Sequence, residues 1–178
     1  MSWMRTSLVT TANRLKFLAR TALAAAGLAL AACSTQAATD GSAASAAQTA
    51  AVHPESGLEV IDLAITTSAG EHKFRVEVAA TPEQQQRGLM FRTAMGPDEG
   101  MIFPLAQVRM ASFWMRNTVI PLDIIFIGPD NRVLNVAANA VPYSEASVPS
   151  VGPAKAVLEL NGGRAAELGI AAGDLVTW

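Results

Sequence analysis

VIDLAITTSAGEHKFRVEV, residues 60–78, alternates apolar and polar side chains on either side of a small-residue turn. Ile61, Leu63 and Ile65 hold one phase against Val60, Asp62 and Ala64. After Ser68-Ala69-Gly70, Phe74, Val76 and Val78 hold one phase against Lys73, Arg75 and Glu77. A period of two is the strand period, and two such runs joined by a turn read as a β-hairpin with one buried face. Downstream the pattern recurs in short pieces: Met101 to Phe103, Met110 to Arg116, Leu122 to Ile127, Arg132 to Ala138, Ala156 to Leu160 and Leu175 to Trp178. Gly96-Pro97-Asp98-Glu99-Gly100 and Gly128-Pro129-Asp130-Asn131 punctuate them as turns, and Pro142 to Pro153 reads as a loop. Helix signals are few. Thr81-Pro82-Glu83-Gln84 offers a hydroxyl N-cap, a proline at the first helical position and a glutamine to bond back, so a short helix should run to about Leu89. Arg164 to Leu168, closed by Gly169, reads as a helical turn. The expectation is a mainly β (α+β) domain, a compact β-sandwich or open barrel of short strands with one or two short helices.

Ahead of that domain the chain changes character twice. Residues 1–32 carry Arg5, Arg14, Lys16 and Arg20 with no acidic residue, then the apolar run Thr21 to Ala32, in the charged-then-apolar order of a secretory signal. A retained membrane anchor is the competing reading, but the run falls short of the about 20 apolar residues a spanning helix needs. Leu30-Ala31-Ala32-Cys33, ending in the single cysteine, resembles a bacterial lipoprotein signal. That resemblance implies cleavage before Cys33, acylation of its thiol and new amino group, and a protein lipid-anchored in the cell envelope facing the periplasm. More than one acyl chain makes such an anchor stable. Ser34 stands where, in enteric-type bacteria, aspartate retains lipoproteins at the inner membrane, which favours the outer membrane. From Ser34 to about Ser56 hardly a large apolar side chain occurs, so ordering entropy is not offset and a flexible tether is expected. Three segments follow: a signal peptide, 1–32; a tether acylated at Cys33, 33–56; and a globular domain, 57–178.

Beyond the signal, nine basic residues face 15 acidic ones, a net charge of −6. That balance, without a basic run, argues against nucleic acid as a partner and against electrostatic attraction to anionic lipid. Membrane contact is expected through the acyl chains alone. With Cys33 consumed by lipid, no thiol remains for a disulfide, for catalysis or for a cysteine metal site. His53, in the tether, and His72, near the first turn, offer no convincing base for a hydrolytic triad.

Several motifs together resemble the DUF192 (UPF0127) family. They are Arg87-Gly88-Leu89-Met90-Phe91-Arg92, Gly100-Met101-Ile102-Phe103, Ser112-Phe113-Trp114-Met115-Arg116-Asn117-Thr118, Ile120-Pro121-Leu122-Asp123-Ile124-Ile125-Phe126, and Val157-Leu158-Glu159-Leu160 with Gly163. The resemblance spans nearly the whole domain and implies a compact β-rich fold, in a family whose function is not established. Members usually show an aromatic residue, often tyrosine, before the Val-Leu-Glu element, where this chain has Ala156.

Two carboxylates sit among apolar neighbours, Asp123 within Leu122 to Ile127 and Glu159 between Leu158 and Leu160. A buried carboxylate is costly without a cation or several donors, and Arg92, Arg116 and Asn117 are candidate partners. On that bland reading each carboxylate braces a turn. The sharper reading gathers Arg92, Trp114, Arg116, Asn117, Asp123 and Glu159 around one cleft as a ligand-binding set. Trp114 and Arg116 share one strand phase, and an indole beside a guanidinium suits an envelope glycan, a peptide or a protein partner. Trp114 as plain core is the competing reading. Two further alternatives stand: a glycan-acting enzyme using Asp123 and Glu159 as acid and base or nucleophile, and copper(I) binding by Met90, Met95, Met101, Met110 and Met115. Their spacings of 5, 6, 9 and 5 form no repeat, and methionine readily fills irregular cores. The expectation is therefore a binding domain without catalytic residues, resident metal or cofactor.

Overall fold

In the computed structural model, which describes residues 51–178, the hairpin of residues 60–78 forms as its alternation requires. Strand β2 (Glu59–Thr67) pairs antiparallel with β3 (Gly70–Val78), with Leu63 opposite Phe74 and Ile61 opposite Val76. A two-residue β1 (Ala51–Val52) adds to one end of the free edge of β2, and β8 (Leu175–Thr177) to the other. After β3, helix α1 (Pro82–Arg87) crosses to β4 (Glu99–Phe113), which runs parallel to β3. β4 pairs antiparallel with β7 (Val148–Asn161), β7 with β5 (Leu122–Ile127), and β5 with β6 (Val133–Ala140). Helix α2 (Arg164–Leu168) follows β7.

The result is one open sheet of eight strands, of the open-barrel rather than the sandwich kind. Its ends approach each other: Arg132 bridges to Leu175, and Val133 N–H and Val176 N–H donate to Asp174 and Asn131 carbonyls at 2.9 and 2.8 Å. Inside the curl lies one apolar cluster, including Leu63, Phe74, Val76, Ile102, Ile125, Leu158 and Leu160. A second cluster, including Leu89, Met101, Phe103, Met115, Ile124, Phe126 and Val157, lies on the opposite face of β4, β7 and β5. The strand period explains the division, since successive residues of β5 and β7 alternate between clusters. Covering the second face is the work of residues 79–95, which carry α1.

The helix signals hold in atomic detail. Gln84 N–H donates to Thr81 Oγ1 at 3.3 Å, Thr81 N–H donates to Gln84 Oε1 at 2.9 Å, and Pro82 opens the helix. The helix stops at Gly88, whose φ of +46° is costly for any side chain, two residues before the expected end.

Three expectations need correction. The expected strands 101–103 and 110–116 are parts of one strand, β4, which tolerates Pro104 because register shifts fall between Pro104 and Arg109 and between Met110 and Ser112. It ends at Phe113, so Trp114 to Arg116 lie beyond it. The expected loop 142–153 is shorter, because β7 begins at Val148. Residues 51–56, assigned to the tether, are folded onto the domain through β1 and through polar contacts of Glu55 and Ser56. The signal segment, Cys33 and the tether to residue 50 lie outside the described residues. Among the described residues, no helix is long and apolar enough to cross a membrane.

Candidate functional site

Glu159 lies in β7 with Met101 of β4 on one side and Ile124 of β5 on the other, both apolar and both in the second cluster. Its side chain therefore leaves the sheet on that face, between neighbours that offer it nothing polar. Close approach of the strands is set by Gly100: a methyl group there would come within 2.6 Å of the Glu159 carbonyl oxygen. Glu159 is 5 % exposed, and burial alone pushes its carboxyl up to about 8, with no cation or donor among the described residues to offset the loss of water.

That carboxyl contributes to a cleft of about 310 Å³ between the sheet and residues 82–90. Pro82, Gln85, Gln86 and Arg87 of α1 line one side; Phe103, Leu105, Arg109, Ser112 and Phe113 of β4 line the other; Trp114, Arg116 and Thr118 extend it beyond the strand. Gln85 fixes the helix over the sheet, its Nε2 donating to Ala79 O at 3.1 Å and Pro104 O at 2.7 Å. Gly88 lets the helix end sit on Phe103, whose ring a methyl group there would meet at 3.3 Å. Phe103 packs edge-on against Phe113 with centroids 5.1 Å apart. Trp114 is 46 % exposed, with the Arg116 guanidinium carbon 5.6 Å from its ring centroid. Trp114 and Arg116 thus meet through this contact and not through a strand phase, since both lie beyond β4, and the reading of Trp114 as core does not hold.

Among the six expected site residues, Trp114, Arg116 and Glu159 meet in this cleft. Asn117 borders the adjoining depression that shares Arg87, Met90, Trp114 and Arg116 with it. Its own φ is +56°, and its carbonyl accepts Phe91 N–H at 2.9 Å.

Asp123 and Arg92 are elsewhere. Asp123 is fully buried on the opposite face of the sheet, and it uses no cation. Its Oδ1 accepts Asn139 N–H at 2.8 Å and Gly163 N–H at 3.0 Å, and its Oδ2 accepts Ala165 N–H at 2.7 Å. Because the N-cap of α2 is Gly163, without a side chain to cap it, Asp123 does the capping from a neighbouring strand. Arg92 makes a bidentate pair with Glu77, at 2.8 and 3.1 Å, and its Nε lies 3.2 Å from Glu55 Oε2. Ser56 Oγ donates to the same Glu77 carboxylate. Arg92 is thus a buried clamp that ties the residue 51–56 segment to β3.

The residues missed are Arg87, Arg109, Gln85 and Phe113 in the cleft, and Glu77 in the clamp. Arg87 opens the motif that ends in Arg92, so the motif itself was a signal; Glu77 stood on the polar phase of β3, where a solvent-facing side chain is the default. Ala156 faces the inner cluster, so an aromatic residue at that place would point away from the cleft. Of the methionines, Met101 and Met115 are buried in the second cluster, Met95 packs against it, and Met110 stands exposed. Among the described residues, no group of three or more His, Cys, Asp or Glu side chains is placed to hold a metal ion.

The DUF192 family model, described as "Uncharacterized ACR, COG1430", matches residues 64–178. Two solved structures are similar. A protein of unknown function from Novosphingobium aromaticivorans is 58 % identical, with 74 % of this chain and 94 % of that one covered and a TM-score of 0.72. A protein from Sinorhizobium meliloti, provisionally described as a transcription regulator, is 40 % identical, with 67 % and 94 % covered and a TM-score of 0.66. No curated protein matches the chain.

Proposed function

The chain belongs to the DUF192 family, and from that premise we propose that its domain is a non-catalytic ligand-binding module, whose site is the Glu159 cleft and which a lipid on Cys33 holds in the cell envelope. One observation carries this reading: a carboxyl 5 % exposed and without a partner among the described residues sits in a cleft walled by aromatic rings and rimmed by guanidinium groups. An uncompensated buried carboxyl costs stability, and a strongly perturbed carboxyl in a cleft has the character of a functional-site group. Asp123 supplies the contrast, since a carboxylate with three backbone donors has a complete structural explanation.

The alternatives lose their support. A glycan-acting pair needs two carboxylates flanking one bond, whereas Asp123 and Glu159 leave opposite faces of the sheet. Copper(I) coordination by the methionines competes with their use in packing. The acidic balance speaks against nucleic acid, so the description of the Sinorhizobium meliloti relative is not carried over.

Thermal-shift measurements of the purified chain against envelope glycans and peptides test the cleft. A ligand at 100 times its dissociation constant adds about 2.7 kcal/mol. The shift should vanish in Glu159→Ala and Trp114→Ala and persist in Asp123→Asn. Shifts that survive both cleft variants would contradict the assignment. Palmitate incorporation in cells, lost in Cys33→Ala, tests the anchor.

A further inference from the structure

The charge on the cleft runs against the charge on the domain. Residues 51–178 carry nine basic and 14 acidic side chains, yet Arg87, Arg109 and Arg116 all line one cleft whose single acid is Glu159. A third of the cations among the described residues therefore line one cleft in an otherwise acidic domain, none of them close enough to the Glu159 carboxyl to offset its burial. A local positive field in a negative molecule concentrates anions at that place. Arg116 is also engaged by Glu145 at 3.7 Å, but both side chains are more than half exposed, so that pair is weak and exchangeable.

The walls are as informative as the rim. Phe113 and Trp114, with Phe103 buried behind them, present ring surface, which inorganic phosphate or sulfate would leave wet. An apolar body is needed to cover it. Resting on the proposal that this cleft is a ligand site, we infer that its ligand is an organic carboxylate with an aromatic or apolar body, the acid group taken by the rim arginines and Glu159, the body lying against Phe113 and Trp114. Guanidinium groups match the planar carboxylate in fork geometry.

Glu159 completes the recognition because it keeps its proton at neutral pH under the desolvation of its site. A protonated carboxyl donates a short hydrogen bond to a carboxylate, whereas an ionised one repels it. The charged groups that line the cleft with it are Arg87 from α1, Arg109 from β4 and Arg116 beyond β4, all at the exposed rim; its strand neighbours Met101 and Ile124 carry no charge. Binding should therefore weaken as pH rises past about 8, where Glu159 gives up its proton.

The test is an NMR titration of the full chain, read at the Trp114 indole N–H, with phenylacetate, its neutral isostere phenylacetamide, and inorganic phosphate, at pH 7 and pH 9. Phenylacetate should bind about tenfold tighter than the amide at pH 7, the difference of one charge-assisted hydrogen bond, and lose about that factor at pH 9. Arg109→Gln combined with Arg116→Gln should abolish the preference. Glu159→Gln, whose amide donates at either pH, should keep binding and remove the pH effect. Equal binding of acid and amide would overturn the carboxylate assignment while leaving the cleft a ligand site. Binding of phosphate alone would overturn the organic body. No perturbation of Trp114 by any probe would overturn both the ligand class and the cleft.

Discussion

Asp123 and Glu159 sit one register step apart on neighbouring strands, Asp123 opposite Leu160 and Glu159 opposite Ile124, with their carboxyl groups on opposite faces of one sheet. The first is saturated with backbone donors and the second has none among the described residues. One carboxylate therefore braces the fold, and the other is the one that we propose meets a ligand.

Asp123→Ala leaves the N–H groups of Asn139, Gly163 and Ala165 without their acceptor, inside the protein. Each orphaned buried donor costs about 1–3 kcal/mol, with partial relief from water. Chemical denaturation should show a loss of about 3 kcal/mol or more, while ligand binding by the protein that remains folded is unchanged.

Glu159 makes stability depend on pH in the sense opposite to most acids. Unfolded, it ionises near 4.5; folded, it holds its proton up to about 8. Between those values the native state binds more protons, so its contribution to stability is complete below pH 4.5 and is lost as pH rises through 8. Glu159→Gln should remove that slope and stabilise the protein at pH 8 by about 1–3 kcal/mol. Denaturation midpoints of both proteins from pH 4 to pH 9 check it.

Arg92→Leu strands Glu77 in the interior, and breaking a buried pair by one partner costs about 3–5 kcal/mol. A double change, Arg92→Leu with Glu77→Leu, should recover much of the loss. Proteolysis should then cut within residues 51–56 faster than in the native chain, because Glu55 and Ser56 have lost the groups that hold them.

Gly88→Ala places a side chain at φ +46° and a methyl group 3.3 Å from the Phe103 ring. Strain of that kind costs about 1–3 kcal/mol. Because the same ring lines the cleft, ligand affinity should fall along with thermal stability.

What was legible in the sequence was local. The alternation of residues 60–78 and the Thr81 to Gln84 capping box name their own structure, because side-chain phase and caps are decided within a few residues. Pro104 hid the continuity of β4, since a proline ends most strands and only the register shifts beside it show why this one does not. Asp123 was recognised as needing partners, but its donors come from residues 16, 40 and 42 positions away, and backbone N–H groups carry no sequence signature. The division of the six expected site residues was likewise a property of the sheet. Arg92 looked like a partner for Asp123, and the buried acid it meets is Glu77, which Ser56 and His53 of the residue 51–56 segment also contact.

A crystallographic fragment screen on this protein tests the assignment of the cleft most directly. Small organic acids should collect beside Glu159, with oxygen atoms within hydrogen-bond distance of its carboxyl and ring atoms on Phe113 and Trp114. Fragments that cluster elsewhere, with the Glu159 cleft holding only water, would contradict it.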